Sequence, residues 1–126
     1  MNPFIFHHMT EIPHTIGKDA PIRKARELMT EFSYHHLPVL HGGAVVGIVT
    51  ERDLRVVESL KMDETTPVET VMNDEPLFVD RQTPLKEALQ IMLKKGYSSV
   101  LVRGTKDEPW GLFTTTDALR LLMVLI

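Results

Sequence analysis

Gly47-Ile48-Val49-Thr50-Glu51-Arg52-Asp53-Leu54 carries an apolar strand into a polar turn, and the same pattern returns as Gly111-Leu112-Phe113-Thr114-Thr115-Thr116-Asp117-Ala118, 64 residues later. Thr-x-x-Asp after a short apolar run reads as a strand entering a helix. The threonine hydroxyl can cap the first turn, and the acidic residue three positions on can reach back to it. Seen once, this is a capping signal. Seen twice, in matching surroundings, it marks an internal repeat. Upstream, Ala20-Pro21-Ile22 matches Thr83-Pro84-Leu85, Ala25 matches Ala88, Met29 matches Met92, Tyr34 matches Tyr97, Leu37 matches Val100 and Val39 matches Val102, all 63 residues apart. The one-residue slip falls between two strands of a hairpin, where length changes are tolerated.

Each half reads strand, helix, strand, strand, helix. An extended piece near Thr15-Ile16, or Leu77-Phe78-Val79, precedes a helix with Pro21 or Pro84 at its first position, a place proline favours. Ile22, Ala25, Leu28, Met29 and Phe32 form one helical face, and Leu85, Ala88, Leu89 and Met92 its counterpart. Gly96 ends the second of these helices. Strands His36 to Leu40 and Ala44 to Val49 flank Gly42-Gly43, a pair suited to the positive φ of a tight hairpin. Ser98 to Arg103 and Trp110 to Phe113 repeat them around a longer turn, and helices from Glu51 to about Leu60 and from Thr115 to about Val124 close the halves. The expected fold class is mixed α and β, with two βαββα repeats packed as a pseudo-twofold pair. Residues 1–64 hold the first repeat with an N-terminal segment, residues 65–126 the second, and the polar stretch from Lys61 to Pro67 links them. Units this small have little core of their own.

Bulk properties narrow the function. The 126 residues are 43% apolar and 25% charged, with a net charge of −3, so a basic nucleic-acid footprint is not expected. With no cysteine, disulfides, thiolate metal sites and a cysteine nucleophile are excluded, which fits a cytoplasmic location. The run Leu121-Leu122-Met123-Val124-Leu125-Ile126 falls far short of the ~20 residues that span a bilayer. It must be buried in the fold or against another copy, and with Val56, Val57 and Leu60 it is the candidate surface of a homodimer.

The order of elements, Leu37-Pro38-Val39 and the duplicated Gly-φ-φ-Thr-x-x-Asp (φ apolar) resemble the CBS domain, named for cystathionine β-synthase, from about Met9 to the C-terminus. The resemblance implies a paired module that regulates an effector protein. Its clefts between the two repeats would bind an adenine nucleotide (AMP, ADP or ATP, the last with Mg2+) or S-adenosylmethionine. It also implies roles for residues. Thr50 and Thr114, at helix starts whose free N–H groups attract phosphate, would donate to phosphate oxygens. Asp53 and Asp117 would accept the ribose hydroxyls. Arg52 and Thr115 would lie beside the phosphates, and Arg23, Lys24 or Lys86 could add charge. An adenine slot would come from Ile16 with His36-Leu37-Pro38, and from Val79 with Ser99-Val100. Leu101 stands where the first repeat has Pro38, which changes the second slot. The alternative for Ile16, Val79, Val39 and Val102 is plain core packing, and it is preferred for the last two. The sites should be unequal: Glu51 sits beside the first phosphate position and uncharged Thr115 beside the second, so the second is the more hospitable to an anion.

Histidines pair as His7-His8 and His35-His36, but neighbours on a strand point to opposite faces, and the zinc-helix spacing is absent; no metal site is expected. No serine sits in a glycine-flanked elbow and no phosphate-loop motif occurs, so the chain is not expected to be an enzyme. A ligand-free oligomerisation scaffold is the alternative to a sensor.

Overall fold

The structure, a computed structural model, describes residues 2–12 and 14–126. In chain order its strands and helices are β1 (Thr10–Ile12), β2 (Ile16–Gly17), α1 (Ile22–Phe32), β3 (His36–His41), β4 (Ala44–Thr50), α2 (Glu51–Ser59), β5 (Phe78–Val79), α3 (Leu85–Lys95), β6 (Ser99–Val102), β7 (Trp110–Thr114) and α4 (Thr115–Leu125). The expected mixed α and β class and both βαββα repeats are present. They form two compact units, His14–Pro76, and residues 2–12 together with Leu77–Ile126.

In the His14–Pro76 unit, β2 runs parallel to β3, and β3 pairs antiparallel with β4. Gly42 and Gly43 both take positive φ, 58° and 81°, and close a two-residue hairpin whose twist suits the strands. A register shift between Val39 and Leu40 bulges β3. The helices cover one face of this sheet. Ile22, Ala25 and Met29 of α1 and Leu54 and Val57 of α2 meet Leu37, Val39 and Val49 in one apolar cluster. Burying each large aliphatic side chain contributes about 1.5–3 kcal/mol. In the other unit, β5, β6 and β7 repeat this plan, and Leu85, Ala88, Met92, Val79, Val100, Val102 and Phe113 form the matching cluster. The core assignment of Val39 and Val102 holds: both are fully buried.

Several local expectations shift. Pro21 and Pro84 cap α1 and α3 from just outside, in extended conformation, instead of occupying the first helical position. Gly96 closes α3 in the left-handed region (φ 72°), as expected, but the equivalent residue after α1 is Ser33 (φ 56°). Phe32, placed on the apolar face, is 40% exposed; its ring stacks on His14 with centroids 4.1 Å apart, and on Tyr34 at 5.7 Å. The residues after Lys61 are no free linker: Ile22 N–H donates to Thr66 (2.9 Å) and Arg23 N–H to Glu64 (3.1 Å). The C-terminal run is not buried within the described fold, for Leu122 to Ile126 are all more than half exposed.

The opening segment of each repeat packs with the other repeat's body. A 3-10 turn at Ile5–His7 buries Ile5 completely among the core residues of the unit containing Leu77–Ile126. β1 then adds to the sheet edge by pairing with β7, Thr10 opposite Leu112. In the His14–Pro76 unit a 3-10 turn at Val68–Thr70 does the same, burying Val68, and Asn73 exchanges two 2.9 Å backbone hydrogen bonds with Ile48. Ile5 and Val68 are 63 residues apart, as are Met9 and Met72. The Met72 side chain covers Gly47, and the Met9 side chain covers Gly111. So residues 2–12, grouped by sequence with the first repeat, pack with the second, while Val68 to Asn73, which follow the 1–64 boundary, pack with the first.

Candidate functional site

The two Thr-x-x-Asp segments fold alike, each as a reciprocal cap. At the start of α2, Asp53 N–H donates to Thr50 Oγ1 (3.2 Å), while Asp53 Oδ2 accepts from Thr50 N–H (2.8 Å) and Thr50 Oγ1 (3.0 Å). At the start of α4 the same three bonds join Thr114 and Asp117, at 3.3, 2.8 and 3.1 Å. Thr50, Asp53, Thr114 and Asp117 are all half-buried. Each cap occupies the threonine hydroxyl and one carboxylate oxygen, and makes no use of the aspartate's Oδ1. In the second repeat Arg120 approaches Asp117 Oδ1 at 3.4 Å. The position equivalent to Arg120 in the first repeat is Val56, so Asp53 has no such counter-charge there.

Strand register brings the slot strand to the cap. His36 pairs with Thr50 across β3 and β4, and Ser99 pairs with Thr114 across β6 and β7. His36 and Ser99 are half-buried. Alternation along β3 puts His36 and Pro38 on one face and Leu37 and Val39 on the other. Leu37 and Val100 are fully buried core members, and Ile16 and Val79 belong to the same two clusters. Their side chains are spent on packing, so what these four offer a ligand is backbone. Pro38 is fully buried. Arg52 and Thr115 are exposed.

Sequence reasoning missed the surroundings of Glu51. His35 Nδ1 donates to Glu51 Oε2 at 2.6 Å, and Arg55 stands 3.8 Å from Oε1, one helical turn on. The His35 hydrogen bond, with weaker pulls from the charges of His35, Arg55 and His36, holds the Glu51 carboxyl below its ordinary range. His35 also accepts the Glu51 backbone N–H at 2.9 Å through its carbonyl. The second repeat keeps that backbone bond, Thr115 N–H to the Ser98 carbonyl at 3.0 Å, but neither ionisable side chain. A cavity of about 420 Å³ opens between α1 and α2, its lining including Arg26, Tyr34, His35, Glu51, Arg55 and Glu58. Arg26 is already bonded to Glu58 (2.8 Å) and Glu64 (3.0 Å). Among the described residues no group of three His, Asp or Glu side chains is placed to hold a metal ion, and no helix is long and apolar enough to cross a membrane.

The CBS domain family model matches twice, at residues 5–59 and 68–124, and those starting points are the two 3-10 turns. An inosine-5'-monophosphate dehydrogenase of Korarchaeum cryptofilum is 31% identical over 103 residues, covering 82% of this chain and 21% of that protein. The chain thus spans about a fifth of the length of this relative. The solved CBS domain pair of protein MJ0100, in complex with 5-methylthioadenosine and S-adenosyl-L-methionine, superposes with a TM-score of 0.82 at 21% identity, covering 98% of both chains. CBSX2 in complex with AMP gives 0.77 at 21% identity, again over 98% of both. With two matched repeats that include both capped strand-to-helix junctions, the chain belongs to the CBS domain family.

Proposed function

We propose that the chain is a regulatory module binding an adenine nucleotide, AMP, ADP or ATP, at the starts of α2 and α4, and that it performs no catalytic step. The carrying observation is the duplicated cap, Thr50–Asp53 and Thr114–Asp117, each paired in register with its slot strand. Helix N–H groups attract phosphate there, and the carboxylate oxygen that the cap does not use is an acceptor for a ribose hydroxyl. The AMP complex of CBSX2 supports the class of ligand, and the MJ0100 complex extends it to adenosyl compounds. Arg120 beside Asp117 and the lack of a glutamate at Thr115 favour the second site for phosphate.

The test is a thermal-shift panel of AMP, ADP, ATP, S-adenosylmethionine, NAD and zinc. Ligand at a hundred times its dissociation constant stabilises by ~2.7 kcal/mol. The expected result is a rise of several degrees with an adenine nucleotide, reduced in Asp117→Asn, which disables the α4 site alone, and lost when Asp53→Asn is added. The rise is measured against each variant's own unliganded melting temperature, because the substitution also weakens the cap. No response to any nucleotide would favour a ligand-free scaffold instead.

That second reading has an observation of its own. Leu119, Leu122, Met123, Val124 and Leu125 of α4 are 51–82% exposed, as are Val56 and Leu60 by 51% and 67%. An apolar strip of this kind is covered in most soluble chains. We propose a homodimer through these helix faces. Light scattering at micromolar concentration should return twice the chain mass, and Leu122→Asp should return the monomer; a monomeric wild type defeats the proposal.

A further inference from the structure

The two repeats differ most in charge at the strand-to-helix junction. Where the first has His35, His36 and Glu51, the second has Ser98, Ser99 and Thr115. Backbone geometry there is the same in both: Glu51 N–H and Thr115 N–H donate to the carbonyls of His35 and Ser98, and His36 and Ser99 sit opposite Thr50 and Thr114. One junction therefore carries an acid held by an imidazole, with a second imidazole across the strand pair from the cap. The other carries only hydroxyls.

We propose that nucleotide binding at the start of α2 is proton-linked, strengthening as the pH falls from 8 to 5.8, and that binding at the start of α4 lacks this protein-borne linkage. The proposal rests on the nucleotide-binding reading above and names how one of its two sites is regulated. Imidazoles change charge in this interval. The charged and titratable groups facing His35 and Glu51 are Arg55 and Glu58 on α2, Arg26 on α1, and Tyr34 before β3. Arg52 and Asp53 follow on the helix. Arg26 is committed to Glu58 and Glu64, and Glu51 stays ionised because His35 lowers its pKa. With both histidines neutral, Glu51 opposes an incoming phosphate, and Arg55 at 3.8 Å offsets it only in part. Protonating His35 cancels the glutamate, and protonating His36 adds positive charge beside Thr50. Phosphate in turn favours the protonated form, so binding draws protons in. One unit charge removed a few ångströms from a phosphate at a partly solvated surface changes affinity by about three- to tenfold.

The experiment is calorimetric titration of the full chain with AMP between pH 5.8 and 8.0 at constant ionic strength, in two buffers of different ionisation enthalpy so that proton uptake is counted. Asp117→Asn is used as the background, so that the α2 site is read alone. Three variants are compared with this background: His35→Gln, His36→Ser, and a graft of the second repeat's residues, His35→Ser with His36→Ser and Glu51→Thr. Melting curves confirm that each folds. Titration of the AMP phosphate is common to all and is removed by comparison with the graft. The background should gain about three- to tenfold in affinity at low pH relative to the graft, with greater proton uptake, and His35→Gln should lose much of that gain. Adenosine, lacking the phosphate, should show no such difference. Equal pH slopes in background and graft overturn the linkage alone. No AMP binding at any pH, in the background or the wild type, overturns the nucleotide reading and the linkage together.

Discussion

Expressed as separate fragments, residues 14–76 are expected to unfold in one cooperative thermal transition, and residues 1–64 to show none. The fragments are nearly equal in length, so the difference comes from the exchanged opening segments. The 1–64 fragment lacks Val68, fully buried in that unit's core. It lacks the Val68 N–H bond to Ala20 (2.8 Å), the Thr66 carbonyl that accepts from Ile22 at the start of α1 (2.9 Å), and both bonds between Asn73 and Ile48. It keeps residues 2–12, whose Ile5 and β1 have lost the β7 edge on which they pack. A unit of about 60 residues is marginal even when whole, and losing one buried valine with several backbone bonds is enough to abolish cooperativity. Circular dichroism with temperature decides it. A cooperative melt of 1–64 equal to that of 14–76 would show that the covering turn contributes little.

Gly47→Ala is expected to lower stability by about 2–3 kcal/mol, and Gly111→Ala by only about 1 kcal/mol, although the two glycines occupy the same place in the repeat. A β-carbon on Gly47 would stand 2.7 Å from the Asn73 carbonyl oxygen. That oxygen is fixed, because it accepts the Ile48 N–H at 2.9 Å. The three atoms nearest a β-carbon on Gly111 all belong to the Met9 side chain, and a thioether with three rotatable bonds can move aside. Urea unfolding should show a lower midpoint for both variants with an unchanged slope. Equal losses would mean that the backbone at Asn73 yields as readily as a methionine.

The fold was legible because the decisive signals are local and occur twice. Helical periodicity from Ile22 to Met29, the paired glycines at 42 and 43, and the Thr-x-x-Asp caps depend on neighbours within a few residues. The exchanged segments escaped because their signal is two matching apolar pairs, Ile5 with Val68 and Met9 with Met72, without the periodicity of a helix or a strand. Their role appears only once a distant partner strand is in place. Phe32 was misjudged for a similar reason: its partners His14 and Tyr34 lie off the helix and hold it at the rim. At the site the caps could be read directly, and so could the contrast between Glu51 and Thr115. The contact that gives this contrast its chemistry could not, since His35 reaches Glu51 across a whole hairpin. Four of the proposed slot residues, Ile16, Leu37, Val79 and Val100, carry the apolar pattern of a strand and pack in the core; hydrophobicity alone does not tell a ligand slot from an interior.

The pairing of Thr10 with Leu112 joins positions more than a hundred residues apart. During synthesis, residues 14–76 can close on themselves as soon as they leave the ribosome, since every strand of that sheet is then available. Residues 2–12 have no seat until β7 has emerged. Residues 2–12 therefore dock later than residues 14–76 close, and a pause before residue 110 would leave their apolar side chains unpaired for its duration.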